Sequence, residues 1–372
     1  MVTIFGNYTI LYSGRKNIFR GMLKLIFTLD YEIHGNGDGC PNKLMVKPTY
    51  RLMNLMDKYG AKLTIFADMA EISRFKSYYE ENGADKFHYL KIKKQLQDAV
   101  IRGHDVQLHI HSSYFNARYD GKKWQQSWDE YDFARLEYSK IHHRIKTSKE
   151  LLETIIQEEV PQYKCFAFRA ANWAMQPTPN IARALLENDI YIDSSVYKYG
   201  KQHEWVKYDY TNAHHPTFPY KASLLEICEN DENSPLWEFP IHCELRPFYD
   251  FITPIRLFRM IRAKFHKHKM PAGKNKSSSL MEKEGKDSPL SMFNRKFPRK
   301  FDFNQLNGKQ LINQLKTIKT EPEMHGFVTL IGHSKSFVAY NEITLQKFLS
   351  FVKKNNDKYS FSLFPQINEL SD

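Results

Sequence analysis

Residues 23–30, Leu-Lys-Leu-Ile-Phe-Thr-Leu-Asp, form an apolar run that ends on a carboxylate, and the segments that follow it narrow the fold class sharply. Residues 48–59 carry Leu52, Leu55 and Met56 at helical spacing and close on Gly60, and residues 62–68 are strand-like again. A strand, a helix and a strand in that order imply a parallel pair, because parallel strands need a long crossover connection. The alternation continues with a polar helical region over 86–101 and a strand over 105–111. A charged helix over 131–158, a strand over 164–169, a helix over 180–188 and a short strand over 190–192 follow. Strands over 236–242, 327–332 and 361–364, with a helix over 345–354, complete the series. Seven or so strands with interleaved helices predict an α/β fold, either a barrel or a doubly wound sheet; the pattern alone does not choose.

Charge is informative only once it is located. The formal net charge is +12, yet residues 251–300 alone hold 14 Lys or Arg against three acidic residues, so the rest of the chain is close to neutral. This is one basic arm and not a basic globular face, which argues against nucleic acid as a partner. Within it, Ile255, Leu257, Phe258, Ile261 and Phe265 alternate with basic residues as an amphipathic helix would, while residues 271–290 read as a disordered linker. The expected organisation is an N-terminal extension over 1–21 and one catalytic domain over 22–372, interrupted by a basic, partly disordered insertion at about 251–303. Residues 255–300 are expected to be either a solvated insertion or a contact, with an anionic membrane surface or with an anionic substrate.

Cys40, Cys165, Cys228 and Cys243 stand far apart without a C-x-x-C pair, which excludes a zinc knuckle and a disulfide-dense scaffold. With no apolar run of transmembrane length and no signal-peptide pattern at the start, the expected location is cytoplasmic, peripheral at most to the inner face of the membrane.

Ionisable groups recur where strands end, which is where an α/β fold builds its site. By strand alternation Asp30 and Glu32 share one face while Tyr31 points away, and His109 and His111 likewise share a face. Two imidazoles and a carboxylate form a common catalytic metal set. Arg169 and His333 end two further strands. A structural salt bridge and a core position are the ordinary fates of such residues, so convergence at one rim is what singles them out. The aromatic content of 14% is enough to line a cleft for a ring-shaped ligand.

In order along the chain, these pieces resemble the polysaccharide deacetylase family, carbohydrate esterases with a NodB-type homology domain. Thr28-Leu-Asp30-Tyr-Glu32 is similar to the T-F-D-D motif. Gly103-His-Asp-Val-Gln-Leu-His109-Ile-His111 is similar to the G-H-E-x-x-x-H segment, and Phe168-Arg169-Ala-Ala-Asn-Trp173 to R-x-P-Y. Ile192-Asp193-Ser-Ser-Val196 and Leu330-Ile-Gly-His333 match the fourth and closing motifs, and Lys58-Tyr-Gly-Ala-Lys-Leu-Thr-Ile-Phe66 resembles the K-Y-G-x-K-A-T-F-F stretch. Two departures stand out: Tyr31 occupies the place of the usual second aspartate, and Ser113 that of the usual second histidine ligand. A branch with altered metal motifs is therefore expected to shift its ligands by alternation, to Glu32 or Asp30 and to His111 beside His109.

The resemblance implies a distorted (β/α) barrel of NodB-deacetylase type and a metal-dependent hydrolase that removes an N-acetyl group from a sugar, with one divalent ion, zinc as the first expectation. It implies Asp30 as base, Arg169 as its partner, His333 as acid and Asp193 as the group that orients or charge-stabilises a catalytic partner, His333 first among them. Glu32, His109 and His111 would hold the metal, and Asn172 and Trp173 would touch substrate, whereas Trp237 and Glu238 are expected in the core. The expected substrate is an acetylated sugar on a nucleotide or lipid carrier, a precursor in lipopolysaccharide or O-antigen biosynthesis. The competing expectations are a catalytically degenerate sugar-binding protein on the same fold and a hydrolase of other non-peptide C–N bonds.

Overall fold

The computed structural model describes residues 21–251, 295–319 and 326–366. The extension over 1–21 thus lies almost wholly outside the described residues, as do residues 252–294 of the basic insertion.

The fold is mixed α/β around one nine-stranded sheet. Strand β1 (Leu23–Tyr31) is buried at every position but Lys24, as befits a parallel strand covered on both faces. The other strands of the sheet are β2 (Thr64–Asp68), β3 (Asp105–Ile110), β4 (Ala167–Ala170), β5 (Ile192–Asp193), β6 (Tyr220–Lys221) and β7 (Trp237–Glu238), together with β10 (Phe327–His333) and β11 (Tyr359–Ser362). Their order is β6-β7-β5-β4-β3-β2-β1-β10, all parallel except β6. Because β10 runs along Lys24 to Asp30 on one edge of β1, β11 and β2 divide the other edge, β11 against Leu23 to Ile26 and β2 against Thr28 to Tyr31. The sheet curls as a half-barrel, and isolated parallel bridges from Ile241 to Thr329 and from Asp302 to Ile331 draw later segments against β10.

Helices cover the outside of the sheet. α1 (Lys47–Tyr59) begins with Pro48 and stops at Gly60, whose φ of 73° is one that only glycine adopts without strain. α2 (Met69–Asn82) was not legible as a separate helix. It starts on the last residue of β2, where Asp68 caps it by accepting the Glu71 N–H. α3 (Tyr89–Ile101), α4 (Tyr138–Gln157) and α5 (Thr178–Leu186) match the expected helical stretches within a few residues, although α4 begins later than residue 131. α6 (Gly308–Thr317) starts at a capping box formed by Asn307 and Gln310, and at the start of α7 (Ala339–Lys354) the Asn341 side chain accepts the Val338 N–H. No helix among the described residues is long and apolar enough to cross a membrane, and all four cysteines are unpaired.

The far end of the expected basic insertion is folded. Strand β8 (Cys243–Pro247) pairs antiparallel with β9 (Lys296–Lys300), Arg299 pairs with Glu244 and Asp250, and Phe301 and Phe303 are wholly buried. Residues 295–303 of the insertion are thus built into the fold, with two aromatic core residues and an ion pair, outside the linker expected over 271–290.

Phe303 packs against the flat backbone at Gly332, immediately before His333. A Cβ at Gly332 would run into the Phe303 ring and stand 2.6 Å from Asn304 Oδ1, which accepts the His333 N–H. Gly332→Ala is expected to cost about 1–3 kcal/mol, the usual range for overpacking. Urea unfolding measures it, and a midpoint equal to that of the native chain would show that the ring can retreat freely.

Candidate active site

Register brings the chemistry to one rim. Asp30 is paired with His333, Asp68 with His109, His109 with Arg169, and Glu238 with Asp193, all at carboxyl ends of parallel strands. Alternation then sorts the faces. Tyr31 turns away and donates its phenol proton to Gln95 Oε1 at 2.8 Å, while Ser113 donates to Gln126, so neither joins the rim.

Glu32 sits between the imidazoles. Its Oε2 is 2.5 Å from His111 Nε2 and 3.6 Å from His109 Nε2, and its Oε1 accepts from Lys335 Nζ at 2.6 Å. Donor atoms of Glu32, His109 and His111 all lie within 4.8 Å of one another, and all three residues are buried. His109 Nδ1 donates to the Arg169 carbonyl at 2.7 Å, which leaves Nε2 to face the cluster, the arrangement that a ligating histidine requires. The donor set therefore fits a divalent cation with open positions. Without one, burial opposes the charged imidazole of His109, but the Glu32 hydrogen bond and the nearby Asp30 outweigh it and hold His109 up at about 9. Burial likewise works against the Glu32 carboxylate, and Lys335 with His111 more than offsets it, so Glu32 lies well below its usual range.

Beside this cluster, Asp30 Oδ1 accepts from Arg169 Nη1 at 2.7 Å and Asp30 Oδ2 lies 3.4 Å from His333 Nε2. Burial opposes ionisation of Asp30, yet the Arg169 guanidinium, then His333 and His109, keep its carboxyl below the ordinary range. Burial pushes His333 down in spite of Asp30, so its resting form is neutral and its lone pair or proton is available for transfer. Arg169 is completely buried, with Nε and Nη2 donating to the Ser194 carbonyl and hydroxyl and its plane over Phe66.

Asp193 is placed differently from the expectation that it orients His333. Its two oxygens accept from the hydroxyl and N–H of Ser195 at 2.7 and 3.1 Å, and its neighbour across the sheet is Glu238. Burial raises both carboxyls, and the proximity of Asp193 raises Glu238 further. Ser195 Oγ in turn accepts the Ala170 N–H, so Asp193 acts on Arg169 through the backbone beside it. Trp237 and Glu238 are both buried as expected, Glu238 as a member of this acid pair.

Asn172 and Trp173 line the mouth in consecutive left-handed conformations, φ 53° and 61°, a strained arrangement of the kind that concentrates at functional sites. Asn172 Oδ1 accepts from Tyr131, whose ring packs with Trp128 and Trp205, and the Trp173 ring meets His333 edge-on at 6.1 Å. Sequence reasoning missed Lys335, Asp68, Tyr131 and Lys300. Asp68 accepts the His111 N–H, and the ammonium of Lys300 lies 3.1 Å from the centroid of Trp173. Lys335 stands two residues past His333, so the strand-end logic that found the histidine extends to it. Lys300 was hidden within the charge run.

The cluster predicts one chelatable divalent ion per chain. Elemental analysis after zinc loading and dialysis should give about one equivalent for the native chain and for Tyr31→Phe and Ser113→Ala. His109→Ala, His111→Ala and Glu32→Gln should each lose most of it, and full occupancy in His111→Ala would remove His111 from the ligand set.

No protein-family profile matches the chain, and no curated protein matches it in sequence. Among solved structures it is similar to a 4-alpha-glucanotransferase from Thermococcus litoralis, at 12% identity and a TM-score of 0.49. That match covers 94% of this chain, which spans only 40% of that enzyme's length. It is also similar to a putative polysaccharide deacetylase from Mycobacterium smegmatis, at 11% identity and a TM-score of 0.44, covering 94% of this chain and 88% of the other. A CE4 family pseudoenzyme from Bacillus anthracis aligns at 9% identity and a TM-score of 0.39, covering 95% and 66%. Polysaccharide deacetylases are thus among its structural neighbours at low identity, and the chemical reading rests on the geometry above.

Proposed function

We propose that this protein is a metal-dependent hydrolase that removes an N-acetyl group from a sugar, a precursor of a surface polysaccharide. The observation that carries the reading is the meeting, on one buried rim, of a Glu-His-His donor set with a carboxylate held ionised by a buried arginine. Amide hydrolysis needs an activated water, a stabilised oxyanion and a protonated leaving nitrogen. A divalent ion held by Glu32, His109 and His111 would supply Lewis acidity and a nucleophile at neutral pH. Asp30 takes the proton that the attacking water loses, and Arg169 keeps that carboxylate charged and fixed. His333, 3.4 Å from Asp30, delivers a proton to the nitrogen as the C–N bond breaks, so the proton has a short path from one group to the other. Trp173, with Tyr131, Trp128 and Trp205 beyond Asn172, offers aromatic faces for a sugar ring.

A second reading, a sugar-binding protein without turnover, draws on Lys335, whose ammonium already neutralises Glu32. Amine release from a panel of N-acetyl sugars separates the two. Asp30→Asn and His333→Ala should each lower turnover by about 10²–10⁴-fold with the fold intact, the usual contribution of positioned acid–base groups. Undiminished release in both proteins would remove this pair from the mechanism.

The basic arm is proposed to hold the enzyme at the anionic inner face of the membrane, each basic residue contributing about 1 kcal/mol near such a surface. Co-sedimentation with anionic liposomes should fall as salt rises and be lost on deleting residues 255–294, a cut that spares β9. Equal sedimentation of deleted and intact proteins would make the arm a solvated insertion.

A further inference from the structure

Two carboxylates of the rim are each matched by a cation of their own, Asp30 by Arg169 and Glu32 by Lys335. Lys300 is a third cation at the same mouth. It ends β9 opposite Cys243, and its ammonium lies 3.1 Å from the centroid of Trp173 and 4.3 Å from that of Tyr197. Among the described residues no carboxylate forms an ion pair with Lys300 and no group hydrogen-bonds its Nζ. Asp302, the nearest acid in sequence, spends its Oδ1 on the N–H groups of Asn304 and Gln305. Two aromatic faces attract an ammonium but leave its three protons without acceptors. Trp173 connects this ammonium to the reaction centre, since the same ring meets His333. The indole Nε1 of Trp173 and the Nδ2 of Asn172 are buried without hydrogen-bond partners among the described residues, so two more donors stand unanswered at this wall.

We propose that Lys300 binds an anionic group of the substrate, a phosphate or a carboxylate carried by the sugar near its acetamide, so that the substrate class is an acetamido sugar bearing negative charge. The inference rests on the deacetylase reading of this site and names the substrate class within it. An anion supplies acceptors to the ammonium. Burial pulls Lys300 down to about 8, which still leaves most of it charged at neutral pH.

The test is calorimetric binding to the zinc-loaded full chain at low ionic strength. Four probes are used: the methyl glycoside of N-acetylglucosamine, N-acetylglucosamine 1-phosphate, 2-acetamido-2-deoxyglucuronic acid and inorganic phosphate. The native protein should bind one charged sugar about tenfold or more tightly than the neutral glycoside, the scale of a charge-assisted hydrogen bond in a partly buried site. Which charged sugar gains tells phosphate from carboxylate. Lys300→Met should abolish that advantage at unchanged zinc content, which separates the lysine from the metal, and Lys300→Arg should keep most of it. Equal affinity of the native protein for charged and neutral sugars overturns the proposal without any variant, as does an advantage that survives Lys300→Met. Lys300→Gln serves if the methionine variant fails to fold. Inorganic phosphate distinguishes the two readings. If it binds in a Lys300-dependent way while no acetamido sugar, charged or neutral, binds measurably, the anion site stands and the deacetylase reading falls.

Discussion

The buried Arg169–Asp30 pair is the interaction on which the rim depends. A fully buried guanidinium is tolerable only if its donors are met, and here Nη1 serves Asp30 and Thr28 while Nε and Nη2 serve Ser194. Thr28 passes its own proton to the Leu330 carbonyl, so one side chain ties β1, β4, the turn after β5 and, through Thr28, β10. Removing one partner of such a pair strands the other charge in the interior at a cost of about 3–5 kcal/mol. The main chain of the same residue matters as much as its side chain, because the Arg169 carbonyl receives His109 Nδ1–H and so sets which nitrogen faces Glu32. One residue thereby holds the base ionised and fixes the tautomer of a candidate ligand.

Asp193 and Ser195 explain how Arg169 is kept in place. The pair forms a tight turn after β5 in which Ser195 accepts the Ala170 N–H and Ser194 accepts from the guanidinium. A motif that reads as catalytic in sequence therefore acts as a brace two strands from the chemistry. Its carboxylate is engaged by the hydroxyl and N–H of Ser195 and lies opposite Glu238 in the sheet.

What was legible in the sequence followed from period-two alternation and from strand ends. Asp30, Glu32, His109, His111, Arg169 and His333 are brought together as the alternation implies, and Tyr31 and Ser113 are turned aside. What was not legible depends on contacts without a local signature. α2 escaped notice because Asp68 ends a strand and caps a helix at once, leaving no turn residues between the two periodicities. Lys300 looked like one more member of a charge run, since its strand pairs with residues some fifty positions earlier and nothing near it in sequence announces that partner. The partner of Asp193 was misjudged for the same reason: proximity in the sheet is set by register with β7, which motif order does not encode.

Parity also explains why the metal set takes the form it does. Tyr31 faces Gln95 of α3, on the helix-covered side of β1, and a carboxylate at position 31 in this register would meet that helix and not the rim. A chain lacking a usable ligand at 31 can regain one only at a position of the same parity as Asp30, and Glu32 is the next such position. It lies about 7 Å further along an extended strand, two residues at roughly 3.4 Å each. The same step from His109 reaches His111, whose backbone is still extended at φ −89° and ψ 94° and is held by Asp68 through its N–H. The two shifts converge: the carboxylate ligand moves one residue outward, from 31 to 32, and the second histidine moves inward, from 113 to 111, so that the two meet. Their 2.5 Å contact is the geometric consequence.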